Sequence, residues 1–325
     1  MDAKLKDIIS CLSKEMEIFE EKFKENFVSS DNLLGGLLNY ENAKKGKRIR
    51  PLLIFLIAKT FGQITLQTYR SAIIIELLHT SSLLHDDVID ESLTRRDKRT
   101  INSLFGNKIA ILVGDYLYGK ALATIETKED FSLMDVFSRI ALQLPQGEIK
   151  EEETNKDKSI DFEAYMQIIY YKTASLISAA TECGARTCGN ENVDREKMAL
   201  LGKNIGMAFQ IRDDILDYTL SNKMGKGVGN DIRERKITIP YIYYLNTLSE
   251  EKKEESVEEF FVLEKTEQEI NNIIDKVNKS GAMDKAIELQ ERYSKVALEI
   301  VDSMPLNEYS VALRALVQYL TIRNE

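Results

Sequence analysis

Chain breakers are scarce in this sequence. Only 4 Pro and 16 Gly interrupt 325 residues, and a chain so seldom punctuated suits long helices better than strands joined by frequent turns. Apolar residues recur every three or four positions from the start. Leu5, Ile8, Ile9, Leu12, Met16 and Phe19, with charges between them, mark one face of an amphipathic helix. The same period predicts helices over 51–60, 66–91, 108–127, 131–153, 162–184, 195–218, 238–245, 266–281, 285–303 and 308–323. No segment sustains the period-two alternation of a half-buried strand, so the expected fold class is all-α. The charged stretches 150–161 and 249–259 read as surface loops or exposed helical faces. No compositional break marks a boundary, and a single domain over 1–325 is expected.

With 43% apolar residues the chain can bury a sizeable core. A formal charge of −9 argues against nucleic acid as the default partner. It leaves room for a small anionic substrate, because local basic clusters matter more than the total. Cys11, Cys183 and Cys188 form no metal or redox pattern, and an odd count suits a reducing compartment. Residues 1–25 are too charged for a signal peptide, and apolar runs such as 52–58 are too short to span a bilayer. These features predict a soluble, cytoplasmic protein without an integral membrane segment.

Two aspartate patterns stand out. Asp86, Asp87 and Asp90 read DDVID; Asp213, Asp214 and Asp217 read DDILD. Helical positions i and i+4 lie about 40° apart, so the first and last carboxylates of each share a face. Carboxylates so close repel one another and call for a cation. Hard oxygen ligands on one face suit Mg²⁺, with waters and substrate phosphates completing its octahedron. Two such clusters facing each other across a cavity could hold several Mg²⁺ ions around one diphosphate. The ordinary alternative for either motif alone is an N-cap or a solvated acidic face. With twenty Asp in the chain, about 0.07 chance matches to DDxxD are expected, so two are hard to assign to accident.

Diphosphate oxygens need donors, and cations cluster near these motifs. Lys47, Arg48 and Arg50 precede Pro51 at the start of an expected helix, where backbone N–H groups favour anions. Arg95 and Arg96 follow the first motif, and guanidinium forks fit phosphate. Lys172-Thr173, Lys226 and Lys236 lie near or between apolar segments. Taken singly, each is an ordinary solvent-facing cation; their neighbourhood is what selects them. His79 lies seven residues before Asp86, two turns along one face, within reach of the same diphosphate. His85 reads as structural.

The blocks GKRIRP (46–51), HTSSLLHDDVIDESLTRR (79–96), GDYLYGKAL (114–122), YKTASL (171–176), QIRDDILDY (210–218) and GKGVGNDIRERKITIP (225–240) resemble the trans-isoprenyl diphosphate synthases. The medium- and long-chain type, such as heptaprenyl or octaprenyl diphosphate synthase, is the nearest. The likeness is strong over about residues 40–240. It implies a helical bundle around a central substrate cavity and a Mg²⁺-dependent transfer with three ions. Asp86 and Asp90, supported by Asp87, then form the first metal cluster; Asp213, with Asp214 and Asp217 beside it, forms the second. Lys47, Arg50, His79 and Arg96 are implied at isopentenyl diphosphate. Arg95, Lys172, Thr173, Gln210 and Lys226 or Lys236 are implied at the allylic diphosphate. Departures occur at Asp97 and Arg99, where the family usually has Gly and Pro, and at Lys45, where it often has Gly. They bear on the shape of the loop after Arg96 and replace no implied ligand.

The implied reaction is electrophilic alkylation, in which cations stabilise a departing diphosphate. An apolar tunnel keeps water from the allylic cation, and no Ser/His/Asp triad is required. In the family, bulky residues four and five positions before the first Asp block the growing tail. Here those positions are Ser82 and Ser81, which predicts a product beyond twenty carbons, with Ile74, Leu77 and Leu78 as an alternative floor. On this basis Ser81→Phe should shorten the product. The other readings are a shorter-chain farnesyl or geranylgeranyl synthase, the catalytic subunit of a heteromeric synthase, and a class I terpene cyclase. The cyclase usually carries an Asn/Ser/Glu second metal motif instead of DDILD. Large apolar helical faces point to a homodimer, or to a heteromer with a small subunit.

Overall fold

The computed structural model describes residues 3–44, 46–158, 160–219 and 228–321. Among them the regular structure is helical apart from one hairpin, Thr94–Arg95 with Lys98–Arg99. The chain divides into two compact units.

The first unit comprises residues 1–141, 176–202 and 300–316. Its helix Ile49–Phe61 is buried continuously from Pro51 to Ala58, as expected of a segment apolar on every face. Beside it runs Leu66–Ile89, which starts at a capping box made by Thr65 and Thr68. This long helix comes very close to Asn107–Ala123 at Gly114. A side chain there would bring its first carbon to 2.3 Å from His85 Nε2. Ser81 Oγ donates to the Gly114 carbonyl at 2.8 Å, so glycine and serine together allow the approach. His85 Nε2 lies 3.3 Å from both the Ile111 carbonyl and Asp115, which fits its structural reading. Phe19 and Phe23 of Ser13–Lys24 stack at 5.4 Å, and Phe19 meets Phe55 edge-on at 6.0 Å. Burying each ring contributes about 1.5–3 kcal/mol.

Helix Asn32–Asn42 was not anticipated, because Gly35 and Gly36 weaken its pattern. Asp31 starts it by accepting the Leu33 and Leu34 N–H groups, a side-chain cap that supplies orphaned helix-end donors.

Residues 142–175, 203–299 and 317–325 form the second unit. One apolar cluster gathers Tyr218, Tyr241, Phe260, Ile273 and Ile274; another gathers Tyr165, Ile211, Ile239 and Leu289. The expected helix 162–184 is interrupted. It forms as Phe162–Ile169 and Ser175–Thr187 with one π-helical turn, Tyr170–Ala174, between them. The charged stretch at 249–259 is an amphipathic helix, Glu250–Phe260, with Phe260 buried. Most of 150–161 belongs to Met134–Lys156, which continues through Pro145. Among the described residues no helix is long and apolar enough to cross a membrane.

Candidate functional site

In the first unit several cationic residues converge on one narrow pocket, whose lining does not include Lys47 or Arg50. Lys44, Arg48, Glu76, His79, Arg95 and Arg96 line it, with Phe23 and Phe27 on its apolar side. The hairpin delivers two of the arginines. Arg96 (φ 54°) and Asp97 (φ 60°) both adopt left-handed backbone between Thr94↔Arg99 and Arg95↔Lys98. Positive φ at both central residues of a two-residue loop is the type I′ hairpin turn. Arg96 Nη1 donates to the Lys44 carbonyl at 2.7 Å, Lys98 Nζ to the Ala43 carbonyl at 2.9 Å, and Tyr40 OH to the Arg99 carbonyl at 2.7 Å. These bonds moor the hairpin to the end of the 32–42 helix. Gly46 faces Arg96: a Cβ there would lie 2.9–3.1 Å from the guanidinium.

Arg50 is half-buried, and its Nε, which is shielded from solvent, has no hydrogen-bond partner. Lys47 is exposed. Burial first, and then the charges of Arg50, Arg96, Arg95 and Arg48, push the His79 pKa well below its ordinary value. The imidazole is therefore neutral near pH 7 and offers one donor and one acceptor.

The first aspartate motif sits at the C-terminal end of the 66–89 helix. Asp90 is the cap residue, and its N–H bonds to the Asp86 carbonyl at 2.8 Å, so the two residues stand one turn apart. Asp87 turns inward, 2% exposed, with Arg95 Nε 2.6 Å from its Oδ1. Burial raises its pKa, and Arg95 opposes that shift. Arg95 thus joins the motif to the pocket that His79 and Arg96 also line.

The second unit carries a cavity of about 200 Å³ lined by Lys172, Thr173, Gln210, Asp214, Asp231 and Lys236, among others. The π turn sets Lys172 and Thr173 toward it; such one-turn irregularities recur at functional sites. Gly147 makes room, since a Cβ there would lie 2.7 Å from Lys172 Cγ. Lys172 Nζ pairs with Glu148 at 2.9 Å and Glu151 at 2.5 Å. Thr173 Oγ1 donates to Gln210 Oε1 at 2.7 Å, and Gln210 Nε2 donates to Asp214 Oδ1 at 2.9 Å. Tyr165 OH closes the chain of bonds on Asp214 Oδ2 at 2.5 Å. Burial pushes the Asp214 pKa up; the bonds from Tyr165 and Gln210 pull it down, while the Asp213 charge adds to the rise.

The three aspartates of DDILD therefore differ. Asp213 is exposed and Asp214 is buried. Asp217 accepts the N–H groups of Asn230 at 3.0 Å and Asp231 at 2.9 Å. Asp231 and Tyr165 had not been singled out. Asp231 is half-buried, with a solvent-shielded Oδ2 that lacks a hydrogen-bond partner, and it lies within the quoted 225–240 block. Nothing in the pattern around Tyr165 distinguishes it from a core aromatic. Lys236 lines the cavity and pairs with Glu234 at 2.8 Å. Lys226 lies outside the described residues.

As a metal site the donor set is all oxygen, with no Cys or His among the expected ligands, which suits a hard cation. Among the described residues no group of three or more acidic, His or Cys side chains is gathered closely enough to hold an ion alone. Mg²⁺ does not need such a cage; it usually keeps waters and takes one or two carboxylates plus substrate phosphates. The residues present fit that mode.

Residues 31–277 match the family model described as polyprenyl synthetase. The chain belongs to this family. It is accordingly a prenyltransferase. Among its relatives, solanesyl-diphosphate synthase 2, chloroplastic, of Oryza sativa subsp. japonica is 34% identical over 84% of this chain and 68% of its own. Heptaprenyl diphosphate synthase component 2 of Geobacillus stearothermophilus is 31% identical over 99% of both chains. A solved polyprenyl synthase from Caulobacter crescentus CB15, complexed with calcium and isoprenyl diphosphate, superposes with a TM-score of 0.90. It is 28% identical and covers 99% of this chain and 98% of its own. The all-α expectation and the family resemblance both hold.

Proposed function

We propose that this chain is a trans-polyprenyl diphosphate synthase that adds isopentenyl diphosphate head-to-tail to an allylic diphosphate, with a product longer than twenty carbons. The observation that carries this reading is the pair of aspartate motifs, each accompanied by its own cationic surroundings, in a chain matched by the family model from 31 to 277. The small side chains of Ser81 and Ser82 and the long-chain names of the relatives support the product length.

In this reading Lys47, Arg50, His79 and Arg96 hold the isopentenyl diphosphate. Lys172, Thr173, Gln210 and Lys236 or Lys226 hold the allylic diphosphate, with Arg95 between Asp87 and the isopentenyl pocket. Asp86, Asp90 and Asp213 ligate Mg²⁺, three ions in all, while Asp87, Asp214 and Asp217 support their neighbours. When bound, Mg²⁺ supplies Lewis-acid stabilisation of the leaving diphosphate. Lys172 gives up its Glu148 and Glu151 contacts to donate to phosphate oxygens, a charge-assisted bond about twice as strong as a neutral one. The allylic C–O bond breaks, the isopentenyl double bond attacks the cation, and a proton leaves to the released pyrophosphate. Neutral His79 serves as a hydrogen-bond donor, not as a base.

The chain acts as a single cytoplasmic domain and as a homodimer; exposed Phe105, Ile111, Leu112 and Leu122 offer an apolar face for association. The relative named component 2 supports a heteromeric form with a small subunit as the second arrangement. Incubation with an allylic diphosphate and Mg²⁺ alone should leave the substrate intact until isopentenyl diphosphate is added. Hydrocarbon released from the allylic diphosphate alone would favour the terpene cyclase reading.

A further inference from the structure

We propose that Arg48 is a positioning residue for the isopentenyl diphosphate grip: its buried ion pairs fix the backbone that carries Lys47 and Arg50. The proposal rests on the reading of those two residues given above.

The segment Lys47-Arg48-Ile49-Arg50 places three cations in four residues, yet their environments diverge. Lys47 is exposed, whereas Arg48 is 7% exposed and turned inward. Its φ is +54°, a left-handed conformation that strains a non-glycine residue and persists only where surroundings over-determine it. Its side chain does not cap the 49–61 helix that it precedes, so the compensation comes from elsewhere.

Three long-range contacts supply it. Nε lies 2.9 Å from Glu20 Oε1, Nη1 lies 2.9 Å from Glu76 Oε1, and the guanidinium sits 4.4 Å from the Phe23 ring centroid. Two separate helices, 13–24 and 66–89, thus grip one side chain of the strap. A planar fork can meet two carboxylates and a ring at once, which an ammonium cannot.

Glu76 extends the arrangement toward the ligand. Its Oε2 is buried without a hydrogen-bond partner, as is Arg50 Nε, and its charge acts on both Arg50 and Arg96. It also precedes His79 by three residues, one turn along the same helix. The Arg48–Glu76 pair therefore orients the 47–50 segment and supplies negative charge beside several arginines. Stability alone is a poor reason to keep such a pair, because well-packed apolar residues usually do as well or better.

The test is steady-state kinetics and calorimetric binding of isopentenyl diphosphate with the full chain, alongside thermal melting. Three variants are needed: Arg48→Lys, Glu20→Gln, and the double variant Arg48→Met/Glu76→Gln, which removes both members of the buried Arg48–Glu76 pair together. Arg48→Lys and the double variant should raise KM and Kd for isopentenyl diphosphate about tenfold or more, with a smaller rise for Glu20→Gln. KM for the allylic diphosphate should stay within about twofold. Folded variants with unchanged affinity for isopentenyl diphosphate would overturn the proposal. So would loss of the folded state in all three, which would make the network a fold determinant only. If the unaltered chain itself fails to bind isopentenyl diphosphate, the parent reading of the pocket is what fails.

Discussion

Asp97 stands where the related synthases usually have glycine, and its backbone explains the preference. At φ 60° it occupies the second central position of a type I′ turn, which favours glycine. Aspartate tolerates left-handed backbone better than most residues, so the hairpin forms and Arg96 is still delivered. Replacing Asp97 with Gly should stabilise the protein by about 0.5–1 kcal/mol, the left-handed strain outweighing the extra chain entropy of glycine. A rise in melting temperature would show it; a fall would mean that the carboxylate is engaged in a way the turn does not require. The candidate residues of the site were legible as types and spacings. Their individual roles were not, because pattern cannot tell an outward aspartate from an inward one. Asp213 and Asp214 are adjacent in sequence and opposite in burial. Asp217 is drawn to backbone N–H groups thirteen and fourteen residues away.

Helical elements were read closely where an apolar stripe repeats, as in 195–218 against the observed Arg195–Asp217. They were missed where a cap or a neighbouring helix decides. The 32–42 helix depends on the Asp31 side chain. The π turn at 170–174 packs against Gly147, a long-range contact that local periodicity does not report. The same scale bears on product length. Ser81 is buried with its hydroxyl on the Gly114 carbonyl, whereas Ser82 is half-buried and bonds only within its own helix, to the His79 carbonyl. Phe at 82 should therefore shorten the product at little cost to stability. Phe at 81 should also shorten it while costing about 1–3 kcal/mol, since it overpacks the close approach of two helices. Chromatographic sizing and thermal melts of the two variants separate these effects, and unchanged product length in both would remove the serines from chain-length control.

For the molecule as a whole, apolar periodicity predicted the all-helical fold and six sequence blocks between 46 and 240 the family, and the family match over 31–277 agrees. What composition could not supply was the company each cation keeps: Arg48 bound to carboxylates, Arg95 to Asp87, Lys172 to two glutamates. These pairings join residues up to 28 positions apart, beyond the reach of helical periodicity. Chain elongation is the decisive property of the protein. Labelled isopentenyl diphosphate should be supplied to the purified chain with farnesyl or geranylgeranyl diphosphate and Mg²⁺, and the products sized. Incorporation should require all three and end in a diphosphate longer than twenty carbons. Products that stop at twenty carbons or fewer, or label that never enters an allylic chain, would contradict the proposed function.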